Sequence, residues 1–147
     1  MTICSNGFSE FDSHTTTMNI NNISNIINEV YPTIAKDYNS NAKVELHNNI
    51  FARLSGITEM SGEDNACAEY DWSENTIYIY TTNMNSEEDI IKALIHECVH
   101  STQDKELFDT YYFIGLDYNT NPCEIEAEYE EENWTNYQVI GFPIKII

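Results

Sequence analysis

Arginine is almost missing from this chain of 147 residues. Six Lys and Arg stand against 25 Asp and Glu, and Arg53 is the single arginine. The formal net charge is −19. Nucleic-acid affinity rests on basic side chains neutralising phosphates, so the balance argues against a DNA or RNA binder. The same shortage argues against an anionic membrane surface. Long apolar runs are also lacking; none approaches the roughly 18 residues of a membrane span. The first 19 residues carry no basic segment followed by an apolar one, so no signal peptide is expected. No Cys-x-x-Cys pair occurs among Cys4, Cys67, Cys98 and Cys123. They read as reduced thiols of a cytoplasmic protein, not as a structural zinc site.

What is present fits a globular chain. Apolar residues are 41% and charged residues 21%, too balanced for a disordered segment. The length suits one domain, residues 1–147. Asn (18) and Ile (19) together make a quarter of the chain. That bias suggests AT-rich coding DNA, as in many phages and large viruses.

The polar segment 1–18 reads as a flexible arm. Ile20, Ile23, Ile27, Val30 and Ile34 recur at three- and four-residue steps and predict a helix. Pro32 should kink or restart it. Residues 43–47 read as a short strand or the start of another helix. Loops are expected at Gly56 and Gly62. Residues 67–72 and 76–81 read as two strands around a Ser73-Glu74-Asn75 hairpin loop. Alternating Ile77-Tyr78-Ile79-Tyr80 suits a half-buried strand. Ser86 is a good N-cap, followed by Glu87, Glu88 and Asp89, so a helix should run to about Lys105. Residues 108–120 look aromatic and irregular. Asn121-Pro122 opens a last helix to about Gln138. Residues 144–147 suit a terminal strand.

His96-Glu97-Cys98-Val99-His100 is H-E-x-x-H, lying within the predicted helix. Residues four apart share a helix face, so both imidazoles can meet one metal. Glu97 sits about 100° further round, within reach of a water on that metal. Zinc lowers the pKa of such a water to about 7, and a carboxylate can take its proton. Ile91, Leu94, Ile95 and Cys98 occupy the other side, as in a core helix lining a cleft.

Here the chain resembles the zincin metallopeptidases, over roughly residues 66–138. The resemblance implies an α+β domain: a small antiparallel or mixed sheet, packed on the H-E-x-x-H helix and a following glutamate helix. It implies Zn²⁺ and a peptide or protein substrate, with Glu97 activating the zinc-bound water. It also implies that strand 76–81 is an edge strand holding substrate in extended form. A catalytic zinc takes three protein ligands and one water. The metzincin third His is absent, since Glu106 stands at its place. Compact gluzincins carry Glu-x-x-Ala-Glu on a later helix, and Glu124 to Glu128 match it, making Glu124 the implied ligand. Helical geometry alone leaves Glu124 and Glu126 open, because both flank the apolar face. Related enzymes often supply a Tyr to the oxyanion, and Tyr118 is the candidate, with Tyr111 and Tyr112 nearby. Gln103 lies on the histidine face as outer support, and Glu126 or Glu128 can do the same. Glu130, Glu131 and Glu132 read as a solvated face. His14 and His47 match no ligand spacing.

The leading expectation is therefore a zinc metallopeptidase, favouring basic substrate segments. Two alternatives carry different predictions. One is a zincin-like binding protein without catalysis. The other is an acidic DNA mimic that blocks nucleic-acid enzymes.

Overall fold

The computed structural model describes residues 2–3, 18–55 and 66–139. Asn19 caps the first helix, α1 (Ile20–Asp37), accepting from the backbone N–H groups of Asn21 and Asn22. Its stripe of Ile23, Ile26, Ile27, Val30 and Ile34 is buried, and α1 packs on the H-E-x-x-H helix. Each such side chain contributes roughly 1.5–3 kcal/mol by leaving water. The helix runs through Pro32 as one element, so the expected restart does not occur.

The sheet has four strands in the order β1-β3-β4-β2. They are β1 (Thr2–Ile3), β2 (Lys43–His47), β3 (Ala66–Asp71) and β4 (Thr76–Tyr80). β2 resolves the ambiguity at residues 43–47 in favour of a strand. Between β2 and β3 lies the short helix α2 (Ile50–Ser55). β3 and β4 form the predicted hairpin, with Asn75 at φ 52° in its turn. β1 pairs antiparallel with the start of β3, so residues 2–3 of the proposed flexible arm form a strand. Met18, at the other end of that arm, donates its backbone N–H to the Met84 carbonyl and packs against the core. Residues 1 and 4–17, both glycine loops and the proposed terminal strand lie outside the described residues.

Strand β4 is not an edge. β3 pairs with it antiparallel on one side, and β2 pairs parallel on the other, Lys43 with Thr76 through His47 with Tyr80. It is also buried on both faces rather than one. Ile77 and Ile79 join the main core with α1, while Tyr78 and Tyr80 pack on the other face with Ala66 and Ile50. Arg53 makes the second face possible. Its guanidinium lies over the Tyr78 ring and donates to the Tyr80 hydroxyl, which donates to Glu69. Among the described residues the outer side of β2 is one open edge, and β3 offers another. β1 covers Ala66 and Ala68, and among the described residues no strand pairs with the outer side of residues 69–71.

Helix α3 (Glu87–Ser101) carries the motif and is capped by Ser86, which accepts from the Asp89 N–H. It is buried nearly all round, between α1, β3 and the segment after residue 121. It stops four residues before Lys105. Gln103 turns back, and Asp104 caps a new helix, α4 (Lys105–Phe113). The region expected to be irregular is thus helical in its first half. Asn121 caps α5 (Pro122–Glu130), and residues 131–137 continue as a 3-10 helix rather than an α-helix.

Cys98 and Cys123 are free and buried. Cys67 is disulfide-bonded, which overturns the reading of four reduced thiols. A bridge depends on distance in space, which spacing along the chain does not report. The thiol argument for a cytoplasmic setting goes with it. No described helix is long and apolar enough to cross a membrane.

Candidate metal centre

Two helices bring the chemistry together. α3 presents His96 and His100 on one face, with ring centroids 4.8 Å apart. α5 presents Glu124 opposite them. The Asn121 cap and Pro122 at the first position fix the phase of α5, so that Glu124 points inward. Glu124 Oε1 lies 3.0 Å from His96 Nε2 and 2.9 Å from His100 Nε2. All three side chains are buried, and their ligand atoms lie within 4.8 Å of one another. This His-His-Glu group can hold one metal ion.

The far side of each ring is fixed. His100 Nδ1 donates to Gln103 Oε1 at 2.7 Å. The Gln103 amide nitrogen is already committed to the Cys123 carbonyl and to Glu126. Its oxygen therefore faces His100, and Nδ1 must carry the proton. His96 Nδ1 donates to Glu131 Oε2 at 2.6 Å. Both Nε2 lone pairs then point at a carboxylate oxygen. Three acceptors converging at hydrogen-bond distance require a proton or a cation between them. Without a metal a proton answers this need. Burial pushes the His96 pKa down, but the bonds to Glu124 and Glu131 outweigh it and raise it to about 9. Burial likewise opposes the Glu124 charge, but His100 and His96 hold its carboxyl well below the usual range. A tetrahedral zinc with bonds of about 2.1 Å needs ligand atoms about 3.4 Å apart. The two contacts from Glu124 to the histidines need open by only about half an ångström. Imidazole and carboxylate donors suit that ion.

Glu97 is fully buried on the same helix, and its charge bears on His96 and Tyr118. Tyr118 is half-buried, and its ring stacks on His96 at 6.3 Å with planes 7° apart. Burial first, then Glu124, Glu128, Glu131 and Glu97, push its pKa far up, so the hydroxyl stays protonated. Glu126 does not face the imidazoles; it is exposed and accepts from Gln103.

Four contacts were not foreseen as parts of the site. Glu131, read as solvated, holds His96. The signal was present, because Glu131 is seven residues from Glu124 and two helical turns restore the same face. Tyr112 donates to Glu124 Oε2 at 2.9 Å. Trp72 and Phe108 wall the His100 side, at ring distances of 5.9 Å and 5.1 Å. Trp72 belongs to the β3–β4 turn, and no local pattern announces a contact across 28 residues of chain.

In comparison with known proteins, no family model, no curated protein and no solved structure matches this chain.

Proposed function

We propose that the chain is a zinc-dependent metallopeptidase of zincin-like architecture. The observation that carries this is the convergence of His96 Nε2, His100 Nε2 and Glu124 Oε1, with both Nδ1 atoms locked from behind. Such orientation is what metal-ligating histidines need. Glu97, one residue from the first ligand, supports catalysis over storage, since a purely structural centre has no use for a base.

Zinc, when bound, lowers the pKa of water to about 7 and polarises a carbonyl. The protein supplies the remainder. Glu97 takes a proton from the attacking water as its oxygen bonds to the scissile carbon. The Tyr118 hydroxyl, held protonated, donates to the oxyanion that forms. Glu97 then passes its proton to the amine nitrogen as the C–N bond breaks. The open edge of β3 at residues 69–71 supports an extended substrate by main-chain pairing, the role first expected of strand 76–81. The charge of −19 favours substrates with basic segments.

One observation favours a second reading, a metal-holding binding protein without turnover. His96, Glu97, His100 and Glu124 are 0%, 0%, 1% and 2% exposed. A catalytic centre needs an open position. The two readings separate on Glu97→Gln. Wild type and variant are loaded with zinc, assayed for metal content, and given a peptide library. The peptidase reading expects one zinc per chain in both, and cleavage slowed by at least about 100-fold in the variant. Equal cleavage, or no bound zinc, rejects it.

A further inference from the structure

The metal centre is sealed by a helix that is not itself part of the core. None of the nine residues of α4 is buried, and Leu107 and Phe113 face solvent. Yet α4 lies over the ligands. Its Phe108 ring packs edge-on to His100 at 5.1 Å, with Trp72 at 4.8 Å and Tyr112 at 5.3 Å around it. Its Tyr112 hydroxyl donates to the Glu124 oxygen that faces away from the histidines. One more tie comes from Asn121, whose side-chain amide donates to the Phe108 carbonyl. At the far end the helix stops at Gly115, whose φ of 107° suits only glycine and reverses the chain.

We propose that α4 is a movable cover on the metal centre and that Tyr112 is its latch on Glu124. The inference rests on reading His96, His100 and Glu124 as a metal centre. It explains how a centre this buried admits a substrate. A segment held by a few polar ties and one aromatic cluster, without core burial, opens more readily than the helices beneath it. The latch also gives Tyr112 a positioning role. By occupying Oε2 it leaves Glu124 a single oxygen, Oε1, for the metal. Opening the cover and releasing the second carboxylate oxygen are then one motion.

The test compares wild type, Tyr112→Phe and Phe113→Ser, the last changing only the outer face of α4. In metal-free protein, diethyl pyrocarbonate labels accessible imidazoles, and His47 serves as the internal reference. Labelling of His100 relative to His47 should rise about tenfold in Tyr112→Phe, the scale of one hydrogen bond to a charged group. It should not change in Phe113→Ser. In zinc-loaded protein, a chelator in excess should strip metal about tenfold faster from Tyr112→Phe alone. With Co²⁺ in place of zinc, the visible spectrum of that variant should shift toward five-coordination as Glu124 binds through both oxygens. Native-state hydrogen exchange of the wild type should open α4 before α3 and α5. Zinc binding with labelling, stripping and spectrum unchanged removes the cover and leaves the metal centre standing. Faster His100 labelling in a protein that takes no zinc does the reverse.

Discussion

Gln103 shows how much of the centre depends on single side chains. One amide accepts from His100, and donates to the Cys123 carbonyl and to Glu126, so it ties α3 to α5 and fixes an imidazole between them. Gln103→Ala should weaken zinc binding by about 10- to 100-fold, read by competition with a chromophoric chelator. Glu126→Gln, which changes only the outer bond, should leave affinity within about threefold. Equal affinity in Gln103→Ala contradicts the orienting role. The sequence made the two histidines legible because a four-residue step has one meaning on a helix. It left Glu124 and Glu126 open because both flank the apolar face of α5. The Asn121 cap and the packing of α5 against α3 decide between them. Glu131 was misread because an acidic run looks solvated unless its phase is traced back to the ligand.

Among the elements, α3 carries the greatest structural weight. Its first turn holds three acidic residues and a serine cap, all favourable at the positive end of the helix. Ser86→Ala should cost about 1 kcal/mol, seen as an earlier urea midpoint with an unchanged slope. It should leave zinc stoichiometry at one, since the ligands lie three turns away. Loss of metal together with stability would show that cap and centre are not separable. The hairpin, the capped helices and α1 were legible because each has a local signal: a turn, a cap or an apolar stripe. Helix α4 carries such signals too, an Asp104 cap and Phe108 and Tyr112 four residues apart, but its crowded aromatic residues read as an irregular stretch. The central place of β4 was not legible, because strand order is set by the partner at residues 43–47, some 30 residues away.

At the scale of the whole molecule, the acidic balance divides into two populations. Among the described residues every carboxylate but Glu97 and Glu124 is at least partly exposed, and the exposed ones supply solubility and a long-range field. Glu97 and Glu124 are buried, and Glu131 is partly so, gathered with two imidazoles where α3, α5 and the following 3-10 helix meet. Such burial of charge is costly unless a cation or protons balance it. That a metal ion held by His96, His100 and Glu124 supplies this balance is the central claim of the account. Diffraction measured on both sides of the zinc absorption edge, from crystals grown with zinc, tests it directly. The account predicts a single strong anomalous peak per chain, about 2.0–2.2 Å from His96 Nε2, His100 Nε2 and Glu124 Oε1. A peak elsewhere, or none while the three atoms keep their hydrogen-bonded contacts, would contradict it.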